Sequence, residues 1–224
     1  LMKPNDIPEN YKVIKPWGSE YTIYKNSTTS TKLLKIDHNK STSLHCHPQK
    51  KTGFILINGK VDINLGFYNT KKLNSISRIM IRPGLFHSTK NLEKETATVL
   101  EIETPIDKDD LVRFKDEYGR ENKPYEGKNF MVELSEDDPV FKDPELNKLT
   151  SYKVDGVSII INKTDDINIL RNSKKDSIFA ILEGGLVSKN NKYVLSPGDI
   201  VGMNTIEKLT EVFKINKFIT YLNI

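Results

Sequence analysis

Short apolar runs of strand length alternate with turn residues along most of the chain. Between residues 20 and 103 the runs are rich in Ile, Val, Leu, Thr and Phe, as in EYTIYKN, TKLLKID and ATVLEIET. Gly, Asn, Ser or Pro interrupts them at intervals of roughly eight to twelve residues. The same rhythm resumes at Tyr152 and continues to residue 224. This pattern is typical of β-sandwiches and barrels, so it predicts an all-β fold.

Two segments depart from the strand rhythm. In residues 107–120, Leu111, Phe114 and Tyr118 recur at helical spacing behind an acidic first turn, and Gly119 supplies a C-terminal stop, which predicts one short helix. Residues 126–151 hold prolines and many charges without a sustained period, which predicts a linker or excursion. The predicted organisation is a β domain in residues 1–125, the linker in residues 126–151 and a second β domain in residues 152–224.

A weak internal repeat relates the two halves. FILING at residues 54–59 returns as FAILEG at residues 179–184, and RPG at residues 82–84 returns in SPGD at residues 196–199. A duplicated β-domain would explain this spacing. The copies differ chemically because all four histidines lie in the first half and none follows His87. Metal or acid–base chemistry is therefore predicted for the first domain.

Composition narrows the possible partners and the compartment. The net charge of +4 comes from 34 basic and 30 acidic residues that are interspersed without a basic stripe, which favours a solvated surface over nucleic-acid binding. No apolar run reaches the roughly 20 residues that span a bilayer, and the first residues lack an apolar signal core, so no membrane role is expected. With a single cysteine, Cys46, an internal disulfide is excluded, which fits the cytoplasm.

Three histidines form the strongest chemical pattern. On a strand, His45 and His47 point to one face and Cys46 to the other, where it would pack as a small apolar residue. His87 begins the next strand after a Pro-Gly turn and can supply a third imidazole. Three neutral imidazoles in a barrel mouth suit one divalent ion such as Zn, Mn, Ni or Fe. His38 is interpreted as an exposed turn residue.

These motifs resemble those of the cupin superfamily. The first cupin motif is matched by His45, His47 and Gly59, and the second by Pro83, Gly84, His87 and Asn91. Within the superfamily, KPWGSEY at residues 15–21 and KDDLVRFKDEYGR at residues 108–120 are similar to segments of the cupin domain of type II mannose-6-phosphate isomerases. The resemblance covers roughly residues 13–125, and it implies two cupin-like domains, each a double-stranded β-helix or jelly roll, the second degenerate.

The resemblance also implies a site and an activity. Counting back from Gly59, the family's carboxylate ligand falls on Thr52, which could at most hold a water. The implied activity is an aldose–ketose isomerase or epimerase acting on a sugar or sugar phosphate. It needs a base, for which Glu101 or Glu103 is a candidate if they point into the barrel rather than to solvent. Arg120 would orient a phosphate or hydroxyl. Lys15, Trp17 and Thr52 are further candidates for substrate binding. Trp17 would either stack on a sugar ring or pack in the core.

Two other functions stay open at this point. A three-histidine non-haem iron dioxygenase shares the barrel and the ligand set. A non-catalytic sugar-binding cupin would explain the missing carboxylate. Because cupin barrels can pair through edge strands, a homodimer is also expected.

Overall fold

The computed structural model describes residues 10–119 and 128–224, which form three β-sheets and two helices. The first half contains eleven strands: β1 (Tyr11–Lys15), β2 (Gly18–Lys25), β3 (Ser30–Ile36), β4 (Leu44–Cys46), β5 (Lys51–Asn58), β6 (Lys60–Leu65), β7 (Asn69–Asn74), β8 (Ser77–Ile81), β9 (His87–Asn91), β10 (Ala97–Thr104) and β11 (Val112–Lys115). A 3-10 turn (Lys128–Phe130) precedes the remaining elements: β12 (Met131–Glu133), β13 (Thr150–Val154), β14 (Val157–Thr164), α1 (Ile167–Arg171), β15 (Ile178–Val187), β16 (Tyr193–Leu195), β17 (Ile200–Gly202), α2 (Met203–Val212) and β18 (Lys214–Asn223).

Two facing sheets build the first half. A seven-stranded sheet has the order β12-β1-β2-β3-β10-β5-β8, and a five-stranded sheet has the order β11-β4-β9-β6-β7. Apolar side chains from both sheets, among them Leu34, Val99 and Ile63, fill the space between them. This is the predicted double-stranded β-helix of the cupin jelly roll.

Strand β10 shows why the seven-stranded sheet lies in the middle of the molecule. Its side chains alternate between the two faces, and seven of its eight residues are buried. Val99 points into the jelly roll, whereas Leu100 and Ile102 belong to a second core on the opposite face. A strand covered on both sides is buried along nearly its whole length, and in β10 this includes the polar residues Glu101 and Glu103.

The second half covers that opposite face. Its six-stranded sheet has the order β13-β14-β18-β15-β16, with β17 paired to β15. Ile161 and Leu222 of this sheet are packed in one core with Leu100 and Ile102 of the first half. Helices α1 and α2 lie on the other side of the six-stranded sheet and complete a third core. The two halves are therefore layered against each other, and the second carries two helices that the strand rhythm did not predict.

The segment predicted as a linker contacts the first half. Within residues 128–151, strand β12 pairs with β1 at the edge of the seven-stranded sheet. Phe141 is 4% exposed in the core shared by both halves, and its N–H donates to the carbonyl of Ile23 over 2.7 Å. The domain boundaries themselves stay predictions.

The prediction of a helix in residues 107–120 is wrong. Within residues 107–119, Val112–Lys115 form β11, flanked by bends and a turn, and β11 pairs with β4 so that Arg113 lies opposite His45. Asp110 explains the difference, because its carboxylate accepts hydrogen bonds from the backbone N–H groups of Gln49 and Lys50 at 2.8 to 3.1 Å. These contacts hold the segment against the sheet, and pairing with β4 outweighs the local helical spacing. Arg120 lies outside the described residues.

In the described part of the chain, neither helix has the length and apolar character needed to cross a membrane.

Candidate metal centre

Strands β4 and β9 bring the three predicted histidines together. His45 pairs directly with His87 across the two strands, and His47 follows the last residue of β4. The ring centroids lie 4.5 Å apart for His45 and His87, 5.1 Å for His45 and His47, and 5.7 Å for His47 and His87. Cys46 is buried and lies outside this group. His38 is exposed and contacts the carbonyl of Glu93 instead.

Backbone carbonyls orient all three imidazoles. Nδ1 lies 2.8 Å from the carbonyl of Ser43 in His45, 2.6 Å from that of Asp110 in His47, and 3.0 Å from that of Leu85 in His87. Because a carbonyl only accepts, each Nδ1 carries the proton and each Nε2 keeps a lone pair. Nε2 of His47 and of His87 is buried without a hydrogen-bond partner. Such oriented, unpaired nitrogens are what a metal site needs.

Burial keeps the imidazoles neutral. It lowers the pKa of His45 well below the ordinary value and lowers that of His47, although Glu103 opposes the shift at His47. The pKa of His87 falls to about 4, chiefly through burial. The rings are thus unprotonated at neutral pH, the form that binds metal ions.

Glu101 brings a carboxylate to the three histidines. One of its oxygens and one nitrogen of each ring all lie within 4.8 Å of one another, so the four residues could hold a metal ion. The carboxylate comes from β10 rather than from the position of Thr52 on β5. The sequence pattern left open whether Glu101 and Glu103 face solvent, and the structure places both inside the barrel at 6% and 3% exposure.

Charged side chains connect Glu101 to Glu103, whose Oε1 lies 3.4 Å from Nε2 of His47. Nζ of Lys32 lies 3.7 Å from Oε2 of Glu101 and 3.0 Å from Oε2 of Glu103, and Nζ of Lys50 lies 3.3 Å from Oε1 of Glu103. Burial and the charge of Glu103 raise the pKa of Glu101 to about 7. Burial also acts to raise the pKa of Glu103, but Lys32 and Lys50 outweigh it and hold that pKa below its usual range. Glu103 is therefore the ionised partner of the two lysines.

Two of the three histidines, His45 and His47, line a cleft. Lys15 and Trp17, both predicted to bind substrate, line it, together with Lys32, Glu101 and Arg113. Lys15 forms an ion pair with Glu20 over 3.3 Å. Trp17 is 4% exposed and also belongs to the core of the jelly roll, whereas its contact with a sugar stays a prediction.

The structure does not bring Thr52 to this cleft. Thr52 is 1% exposed, its hydroxyl has no hydrogen-bond partner, and its neighbour on β10 is Glu103 rather than Glu101. The cleft residues Lys32 and Arg113 were not identified from the sequence. Lys32 had a detectable signal, since it is a polar residue within the apolar strand TKLLKI, whereas Arg113 was assigned to a helix.

Two curated proteins are similar in sequence to about half of this chain. The chain is 27% identical over 111 residues to the xanthan biosynthesis protein XanB of Xanthomonas campestris, a match that covers 49% of this chain and 24% of that protein. It is 25% identical over 123 residues to the alginate biosynthesis protein AlgA of Pseudomonas putida, covering 54% of this chain and 25% of that protein. The matched region thus spans about a quarter of the length of these curated relatives.

Among solved structures, KdgF from a Halomonas species aligns with 44% of this chain and 90% of its own, at 14% identity and a TM-score of 0.41. The capsular polysaccharide assembling protein CapF from Staphylococcus aureus aligns with 47% of this chain and 34% of its own, at 15% identity and a TM-score of 0.43. Residues 4–116, just over half of the chain, match the family described as the C-terminal domain of mannose-6-phosphate isomerase. The chain therefore belongs to the mannose-6-phosphate isomerase C-terminal family.

Proposed function

We propose that the jelly roll is a metal-dependent enzyme that isomerises or epimerises a sugar or sugar phosphate. The observation that carries the proposal is the group of His45, His47, His87 and Glu101. Three of these residues, His45, His47 and Glu101, line a cleft together with basic side chains. The family and the polysaccharide-biosynthesis relatives support a sugar as the substrate class.

The donor set fits a divalent ion. Two buried Nε2 atoms without hydrogen-bond partners and one buried carboxylate are costly to keep unless they bind something. Three imidazoles and a carboxylate suit Zn, Mn, Ni or Fe. Such an ion would stabilise negative charge on the sugar oxygens as the enediolate forms.

Residues of the cleft would supply the other functions of the site, which are substrate orientation and proton transfer. Lys15, Lys32 and Arg113 line the cleft and would orient hydroxyl or phosphate oxygens. Of the two candidate bases, Glu101 lines the same cleft and Glu103 does not, so Glu101 is the carboxyl that reaches a substrate, either as a metal ligand or as the base. Glu103 instead holds Lys32 and Lys50 in place through ion pairs. A role for Arg120 remains part of the proposal from sequence.

The test is metal content by elemental analysis of protein purified without an affinity tag. We expect near one divalent ion per chain, lost in His47→Ala and His87→Ala and kept in His38→Ala, which removes an exposed histidine. The metal-loaded protein is then screened with phosphorylated aldoses and ketoses in D₂O, where isomerisation places solvent deuterium on carbon.

Other outcomes would replace the proposal. Bound iron with consumption of O₂ and no deuterium incorporation would favour the dioxygenase. A protein that binds no metal but still binds sugars would be the non-catalytic cupin.

A further inference from the structure

A second cleft lies in the half of the chain that has no histidines. It lies on the helix-bearing face of the six-stranded sheet, between β14, the end of β18 and the segment around α1. The cleft encloses about 790 Å³, part of it open to solvent. Ile160 and Tyr221 form part of its floor, and Ile169 of α1 forms part of its wall.

Two buried asparagines in this cleft each have one side-chain amide atom without a hydrogen-bond partner. Asn162 is 2% exposed, and while its Nδ2 donates to the hydroxyl of Tyr221 over 3.1 Å, its Oδ1 accepts no hydrogen bond. Asn223 is 8% exposed, and its Nδ2 donates none. A buried polar atom without a partner destabilises a fold, and an apolar side chain would avoid that cost at both positions. The pair offers one acceptor and one donor to a molecule that enters the cleft.

The chemistry of the lining selects a neutral, hydroxylated ligand. Besides the two amides, hydroxyl groups of Ser158, Ser177 and Tyr221 line the cleft, and Ile160 and Ile169 provide apolar contacts. Among the side chains of the described lining residues, only that of Lys174 is charged, and it is exposed. The metal cleft, in contrast, is lined by Lys15, Lys32 and Arg113, among others. Neutral amides and hydroxyls suit sugar hydroxyls, which both donate and accept.

We propose that this cleft is a second binding site, which takes a neutral sugar ring through Asn162 and Asn223. The inference does not depend on the proposed metal chemistry, because the two clefts share no lining residue.

The experiment follows side-chain methyl groups by NMR during titration with D-mannose, D-glucose, D-galactose and L-fucose. Ile160 and Ile169 report on the second cleft, and Leu34 and Leu111 report on the metal cleft. We expect at least one hexose to give saturable shifts at Ile160 and Ile169. In Asn223→Ala the affinity at these methyls should fall at least about 10-fold, since the donor that Asn223 offers to the ligand is lost. Asn58→Ala, at an exposed asparagine, should leave it unchanged.

A second variant protects the test against a folding defect. Ser158 is exposed and lines the cleft, so Ser158→Trp should obstruct ligand entry without disturbing the core. The proposal is overturned if no hexose gives saturable shifts at Ile160 and Ile169, which would mean that the cleft holds water only. It is also overturned if the shifts persist at unchanged affinity in both Asn223→Ala and Ser158→Trp.

Discussion

The turn at Gly84 in the first half and the turn at Gly198 in the second use the same backbone device. Both glycines have positive φ, 75° and 84°. The N–H of Gly84 donates to the carbonyl of His47, and the N–H of Gly198 donates to that of Ile181, each over 2.8 Å. The acceptors differ in their place in the sequence repeat, because Ile181 lies within FAILEG whereas His47 lies before FILING.

The residues that follow the two turns lie in different surroundings. The third residue after the first glycine is His87, which faces the metal group, whereas the third residue after the second is Val201, which packs under the helices. Ile200, its neighbour, is buried in the core shared by both halves. A similar glycine turn thus precedes both residues. A histidine three residues after the turn joins the candidate metal site, whereas a valine there packs in the third core.

The largest expected effect concerns the core that joins the halves. Ile161→Ala should lower the free energy of unfolding by roughly 2–5 kcal/mol, because it leaves a cavity in a fully buried cluster. Trp17 is the single tryptophan and lies in the first half, so its fluorescence reports whether a change in the second half destabilises the jelly roll. We expect its denaturation midpoint to fall, and to stay unchanged in Val212→Ala, at a position 72% exposed. An unmoved Trp17 transition in Ile161→Ala would show that the halves unfold independently.

The next largest effect is on metal affinity, which should distinguish the roles of the two glutamates of β10. Glu101→Gln should weaken metal binding by more than about 100-fold, because it removes a charged ligand, and Glu103→Gln by roughly 10–100-fold, because it acts through neighbouring groups. Competition with a metal-binding dye measures both affinities. Equal losses of metal affinity in the two variants would contradict the assignment of Glu101 as a ligand and Glu103 as a neighbouring group. If Glu101→Gln kept its metal but lost turnover, Glu101 would be the base and not a ligand.

These two glutamates also show which features of the candidate site could be predicted from the sequence. The alternation in LEIET predicts that Glu101 and Glu103 share a face, and HxH with PGxxH predicts three converging imidazoles; local periodicity is enough for both. It could not show that β10 crosses the barrel opposite the histidines, since that depends on strand order. Without that order, the search for a carboxylate stopped at Thr52, on the neighbouring strand.

The second half was harder to predict for a related reason. Its strands were recognised from their apolar runs, but Met203, Ile206 and Leu209 in α2 are a short helical pattern between two strands and were included in the strand rhythm. Conversely, the helical spacing near Leu111 was overridden by pairing with β4. Short segments are decided by what they pack against more than by their own periodicity.

A smaller effect tests whether the two glycine turns are equally constrained. Gly84→Ala should cost about 1 kcal/mol, the price of a left-handed residue, since open space surrounds the position of its Cβ. Gly198→Ala should cost roughly 2–4 kcal/mol, because the new methyl would meet Cγ2 of Thr104 well inside van der Waals contact. The hydroxyl of Thr104 donates to the carbonyl of Thr28 over 2.9 Å, which opposes its rotation. Thermal denaturation of both variants measures the difference, and equal losses would mean that Thr104 moves aside.

The smallest effect concerns a polar contact between the halves. Nζ of Lys35 lies 2.7 Å from Oδ1 of Asp155, and Thr98 also donates to this carboxylate. Although burial alone would raise the pKa of Asp155, these partners lower it, so its stabilisation is present above the ordinary pKa and disappears as pH falls through the folded value. Asp155→Asn should cost less than about 1 kcal/mol at neutral pH, since the pair is partly exposed.

Asparagine is the appropriate replacement because it tolerates the φ of 47° at residue 155. Denaturant unfolding of the wild type and Asp155→Asn, repeated from neutral pH down to about pH 3, should show the two stabilities converging as the carboxylate protonates in both the folded and the unfolded chain. Asp176→Asn, at an exposed aspartate, serves as the control for general loss of charge. If the difference in stability between the wild type and Asp155→Asn stayed constant with pH, the contribution of Asp155 would come from packing and not from its charge. The apolar core alone would then join the two halves.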